Sequence, residues 1–235
     1  MSQAEPMETI QEPKPQTGGQ QQPLTRVRLT YARREALRYT SHLDLHLVWE
    51  RTLRRASVPL AYSQGFNPRP RLHLASALPL GFLSRCEIAD FWLNQPEEVI
   101  RVTFLALVKD IQKAAPPGLE ILQGEIVPLS LPALQTQVHS AEYLAYALDP
   151  LDENTLREKV EQLLQAASLP RERRGKPYDL RPLIQVLEVS AGSPNGLFMR
   201  LTAREGATGR PEEVLDAMGF DPLAFRVERT ALLLE

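Results

Sequence analysis

Arg26-Val27-Arg28-Leu29-Thr30-Tyr31 alternates with period two, Val27, Leu29 and Tyr31 on one face and Arg26, Arg28 and Thr30 on the other. That is the mark of a half-buried strand. A turn through Arg33-Arg34-Glu35 and an extended piece from Leu37 to Tyr39 follow it. Ser41-His42-Leu43-Asp44 then fits a capping box, Ser41 bonding forward and Asp44 reaching back. Leu45, Val48, Thr52, Leu53 and Ala56 recur at helical spacing, and Pro59 stops the helix. Strands are expected over about 71–75 and 87–93. Pro96-Glu97-Glu98-Val99 puts a proline and two acids into the first turn of a second helix that runs to Ile111. Leu119 to Val127 reads as the closing strand. The order is βαββαβ.

The rest of the chain repeats that order. Tyr143 to Leu148 is a strand, Asp152 or Asn154 can cap a helix through Leu156, Val160, Leu163 and Leu164, and Leu183–Val189 and Leu197–Thr202 flank the turn Gly192-Ser193-Pro194-Asn195-Gly196. Pro211 starts a short helix, and Phe225 to Leu234 is the final strand. Two letter echoes connect the halves. Ala56-Ser57-Val58-Pro59 returns as Ala167-Ser168-Leu169-Pro170, and Pro96-Glu97-Glu98-Val99 as Pro211-Glu212-Glu213-Val214, at offsets of 111 and 115. Each alone could be chance, since both are common capping solutions; together, in one order and at nearly one offset, they favour duplication. The expected fold is α+β, two tandem ferredoxin-like domains over 25–128 and 139–235 joined by a linker at 129–138. Residues 1–24, with six glutamines, four prolines and almost no large apolar side chain, read as a disordered tail.

The 235 residues are 43% hydrophobic and 24% charged, an ordinary globular composition. The apolar run Phe104 to Val108 is five residues, and no run approaches the ~18 needed to span a bilayer. One cysteine, Cys86, excludes an internal disulfide framework. The expected compartment is the cytoplasm. The net charge of −2 hides a strong segregation. Residues 26–85 hold eleven arginines, no lysine and three acids (+8), whereas 86–170 hold five bases and thirteen acids (−8). Arginine in preference to lysine suits bidentate contact with phosphate and stacking on flat rings.

Tyr62-Ser63-Gln64-Gly65-Phe66-Asn67-Pro68-Arg69-Pro70-Arg71 is the most unusual stretch. It sets ring faces, amide edges and cations in one stiffened loop, as single-stranded bases are bound; the plainer alternative tucks Phe66 into the core. Arg173-Arg174-Gly175-Lys176 is a second basic loop, and pseudo-symmetry could bring the two to one groove. His42 and His46 have the spacing of a metal half-site but lack the glutamate of HExxH; no metal and no cofactor is expected. Cys86 reads as an inert buried thiol. There is no P-loop, GxGxxG or GxSxG, and no motif for sequence-specific DNA binding.

The chain resembles the radical-SAM-linked family, a domain of unknown function encoded beside or fused to radical SAM proteins. The resemblance rests on Ser41 to Leu45, the helix bearing Arg54-Arg55, Tyr62 to Arg71, Pro79-Leu80-Gly81, Arg173 to Ile184 and Arg229 to Leu234. Relatives tend to have histidine where this chain has Arg69, which argues against a catalytic histidine in the loop. A radical SAM enzyme holds its cluster with three cysteines, so a chain with one is at most its accessory. The resemblance therefore implies a radical SAM protein as partner.

The leading expectation is a non-catalytic module that presents structured RNA, tRNA among the candidates, for modification. Phosphate contacts fall to Arg33, Arg34, Arg54 and Arg55, and base contacts to Tyr62, Gln64, Phe66, Asn67 and Arg69. Arg38, His42, Arg71, Arg173, Arg174 and Lys176 complete the expected surface. The alternatives are a metal-independent RNA-cleaving enzyme using His42 or His46, and a docking subunit whose basic face meets the partner protein.

Overall fold

The computed structural model describes residues 24–64, 66–190, 196–204 and 206–235. Residues 1–23 of the expected tail, Gly65 and the Gly192 to Asn195 part of the expected turn lie outside the described residues. The fold is α+β, with five α-helices and a large, mostly antiparallel sheet among the described residues. None of these helices is long and apolar enough to cross a membrane.

In the first half, β1 (Thr25–Arg33) carries α1 (His42–Arg55), β2 (Leu72–Leu74), β3 (Leu83–Leu93), α2 (Glu97–Ala114) and β4 (Leu119–Val127) in its wake. The strands lie in the order β4-β1-β3-β2. Ser41 caps α1 by accepting from the Asp44 amide at 3.1 Å. The return arm differs from a capping box: the Ser41 hydroxyl itself donates to Asp44 Oδ2 at 2.7 Å. The inner face of α1 presents Leu45, Trp49 and Leu53 to the sheet, with the Trp49 ring edge-on to Tyr31 at 4.9 Å.

Between the halves, the expected linker is a packed element. It contains the single-turn α3 (Leu134–Gln137), in which Leu134 and Gln137 are buried. The second half comprises β5 (Val138–Ala147), α4 (Glu153–Gln165), the hairpin strands β6 (Pro170–Arg173) and β7 (Lys176–Asp179), β8 (Ile184–Ser190), β9 (Gly196–Arg204), β10 (Ala207–Thr208), α5 (Pro211–Ala217) and β11 (Phe225–Leu234). Asp152, not Asn154, caps α4, accepting from the Thr155 amide at 2.8 Å. The main strands run β11-β5-β9-β8, and a short parallel pairing of β11 with β3 joins everything into one nine-stranded sheet. Each half keeps its own apolar cluster, one around Trp49, Phe91 and Ile100, the other around Leu156, Met199 and Leu215.

The strand read as half-buried is buried on both faces. Arg26 and Arg28, expected to face water, both donate to Asp90, with contacts of 2.6 and 2.8 Å. Arg26 also donates to the carbonyls of Leu131 and Pro132, at 2.8 and 3.0 Å. The linker is thereby clamped onto the outer face of the sheet, and the two arginines are structural. On the other face, Tyr143, Arg229, Ser84 and Arg33 stand side by side on β5, β11, β3 and β1. All four are buried. This row crosses the seam between the halves.

Candidate nucleic-acid interface

The loop after α1 is a short projecting hairpin. Its base is held by β3: the Ala61 amide donates to the Trp92 carbonyl at 2.7 Å, and the Trp92 amide to the Arg71 carbonyl at 3.1 Å. The two limbs are tied by Arg71 N–H to Ala61 O (2.8 Å) and Ser63 N–H to Arg69 O (2.8 Å). Ser63 Oγ adds a bond from the Arg69 amide at 3.0 Å. Two backbone bonds and the Ser63 hydroxyl fix the stem, so the side chains at its end are presented from a stable base.

Those side chains face water. Phe66 is fully exposed, and Gln64, Asn67 and Arg69 are exposed beside it, with Tyr62 46% exposed. The alternative of a Phe66 anchored in the core is thus excluded. Tyr62, Gln64, Arg69, Arg71 and His73 line a groove of about 410 Å³ along the hairpin. Arg71 lies over the Trp92 ring at 4.8 Å, and His73 meets that ring edge-on at 4.9 Å. Arg54 and Arg55, in the last turn of α1, are exposed and have no ion-pair partner among the described residues. His73 and Trp92 are the members that sequence reasoning missed. Neither stands out as a letter, because only the pairing of β2 with β3 sets them beside the hairpin.

The remaining expected residues are elsewhere. A helix of fourteen residues is roughly 20 Å long, and Arg33, Arg34, Arg38 and His42 are at the far end of α1. Arg33 is fully buried and spends Nη2 on the carbonyls of Leu37 and Thr40, at 3.0 and 2.9 Å; it has no exposed surface to offer an RNA backbone. Arg34 pairs with Glu120 at 2.8 Å, and Arg38 donates to the Gly81 carbonyl at 2.7 Å. Burial, reinforced by the charges of His46, Arg33 and Arg229, holds the His42 pKa below the usual histidine value, so its ring is neutral at pH 7. His46 has Nε2 3.2 Å from the Leu72 carbonyl oxygen and Nδ1 3.2 Å from Glu50, so both nitrogens are engaged. Among the described residues no group of three His, Cys, Asp or Glu side chains is placed to hold a metal.

The second basic loop does not share the groove. Arg174 and Gly175 both have positive φ, 52° and 75°, and form the tight turn between β6 and β7. Arg174 and Lys176 point to solvent there. Arg173 is bound to Glu213 at 2.6 Å and to the Thr208 carbonyl at 3.0 Å, and borders a separate cavity. Cys86 is part-buried beside Ser84, and burial pushes its thiol up to about 12, which keeps it protonated.

Over residues 26–211 the sequence matches the family described as an uncharacterized protein conserved in bacteria, DUF2344. The chain belongs to that family. No curated protein matches it. Among solved structures it is similar to a chain of a Cbf5–Nop10–Gar1 complex, at 8% identity and a TM-score of 0.44, over 88% of this chain and 48% of that one. It is also similar to a chain of an H/ACA RNP bound to a substrate RNA containing 2′-deoxyuridine (10% identity, TM-score 0.40, 88% and 46%). A pseudouridylate synthase is a third such structure (10% identity, TM-score 0.31, 91% and 66%). The chain spans about half the length of the first two.

Proposed function

We propose that the hairpin end of the first half is an RNA-binding surface. One observation carries the reading: a pinned hairpin holds a fully exposed phenyl ring beside a tyrosine and cations that no described carboxylate neutralises. Leaving a Phe in water forgoes about 1.5–3 kcal/mol of burial. An unpaired base restores that contact by stacking, while Arg54, Arg55 and Arg69 take the phosphates and Gln64 and Asn67 the base edges. The protein is then a non-catalytic accessory that presents RNA, tRNA being one candidate, to a radical SAM partner in the cytoplasm; the partner rests on the motif resemblance alone. We read the two strand orders, with the two letter echoes, as a duplicated ferredoxin-like pair over 25–128 and 139–235.

Titration of a labelled single-stranded RNA across salt concentrations tests the reading. Affinity falls steeply with salt, and Phe66→Ala weakens binding without changing that slope. Equal, salt-insensitive affinity for a neutral polymer would overturn it. No cleavage products are expected on incubation, because His42 is a helix length away from the hairpin and His46 has both ring nitrogens engaged, by the Leu72 carbonyl and Glu50.

A further inference from the structure

The seam contains a charge imbalance that the RNA surface does not use. Arg33, Arg229 and Glu87 are 0%, 1% and 2% exposed. Arg229 reaches Glu87 at 3.2 Å and the Ala77 carbonyl at 2.6 Å, and among the described residues Glu87 is the one carboxylate that acts appreciably on both guanidiniums. Two buried cations therefore share one buried anion. Four donors in the same region, Arg33 Nε and Nη1, Arg229 Nε and Trp49 Nε1, have no hydrogen-bond partner, against one such acceptor, Glu87 Oε1. Arg33 and Arg229 flank Ser84 on adjoining strands of one sheet face. Their Cα atoms are thus about 10 Å apart, a span two guanidiniums can close on one small group. An uncompensated buried charge costs several kcal/mol, and unpaired buried donors add to that.

A cavity comes up to the edge of this region at Ala77 and Tyr143. It has a volume of about 490 Å³ and opens between the halves, bounded by Ala77, Leu78, Tyr143, Arg173, Arg210 and Glu212. Ala77 accepts from Arg229, and Arg229 lies over the Tyr143 ring at 5.7 Å, so the inner wall of the cavity adjoins the guanidinium row. Its volume is within the range of about 300–1,000 Å³ typical of small-ligand sites.

We propose that the seam is a binding site for a phosphoryl group, held between Arg33 and Arg229 over Ser84 and reached through the cavity between the halves. The phosphate supplies the missing negative charge and accepts from the unpaired donors. The group arrives either as free phosphate or as a monoester whose body fills the cavity. Burial lowers the Arg33 pKa, which is the electrostatic strain such an anion relieves.

The test is thermal unfolding of the full chain with increasing inorganic phosphate, against sodium chloride at matched ionic strength, and again with nucleoside monophosphates. A saturable rise in Tm with phosphate, absent with chloride, is expected. Tighter binding of a monophosphate than of phosphate identifies an ester, and equal binding identifies the free ion; both support the site. Glu87→Gln, which removes the competing anion, tightens phosphate about tenfold, and Arg33→Met abolishes the saturable shift. The triple variant Arg54→Ala, Arg55→Ala, Arg69→Ala keeps the shift while losing RNA affinity, so the two sites fail separately. No saturable shift, or a shift abolished by the triple variant and untouched by Glu87→Gln, overturns the proposal; should Arg33→Met not fold, the Glu87→Gln comparison still decides.

Discussion

The seam and the hairpin end both concentrate guanidinium groups, and they treat them in opposite ways. At the seam and on the outer face of β1, Arg26, Arg28, Arg33 and Arg229 are removed from water and given carbonyls, Asp90 or Glu87 as partners. At the hairpin end, Arg54, Arg55 and Arg69 stay in water. A buried ion pair is held by its geometry, and breaking one partner strands the other. An exposed guanidinium contributes little to stability and remains available to a ligand. The same residue type thus serves cohesion in one region and is open to recognition in the other.

Four experiments break or sharpen that contrast. The largest effect is expected at Asp90, which is fully buried and accepts from both Arg26 and Arg28. Asp90→Ala leaves two cations without their carboxylate and lowers stability by about 3–5 kcal/mol, read as a drop in the urea midpoint. A loss below about 1 kcal/mol would mean that the strand arginines are not clamped as described. At the other pole, the triple alanine variant of Arg54, Arg55 and Arg69 leaves the midpoint within about 0.5 kcal/mol of wild type. Its salt slope for single-stranded RNA becomes shallower by about 2, at roughly 0.7 per phosphate contact; an unchanged slope would place the RNA elsewhere.

Phe66→Ala should cost about 1–3 kcal/mol of RNA affinity, the worth of one stacked base, with no change in the urea midpoint. The smallest effect concerns His42. Its folded pKa lies below the unfolded value, so the unfolded chain binds the extra proton first as pH falls. The stability tied to a neutral His42 is therefore present above about pH 6.5 and is lost as pH drops through that value toward the folded pKa. His42→Gln removes this part of the acid sensitivity, visible as a flatter urea midpoint between about pH 5 and 7. A steeper dependence in the variant would sink the assignment.

Much of the secondary structure was legible in the letters. A period-two run located β1, β4 was read at its observed bounds as the closing strand, helical spacing located α1, and Ser41 and Pro96 marked helix starts that the structure keeps. The hairpin was legible too, because its prolines and rings are unusual in any context. The β6–β7 hairpin was missed, its Arg174-Gly175 turn reading as a basic loop, since a tight turn needs only two residues with positive φ and leaves little trace in hydropathy. The partition of the arginines was not legible. Arg26 and Arg28 look solvent-facing until residues 131–137 fold over them, and their carboxylate, Asp90, is more than sixty positions away.

Local order along this chain is a property of the sequence itself, because alternation, caps and prolines act within a few residues of each other. So is the crowding of arginine into the amino-terminal half. Which of those cations are buried and which meet solvent was decided only in three dimensions. Burial depends on what strand pairing brings across from remote segments, and the cost of removing a charge from water is met by partners that no local window contains.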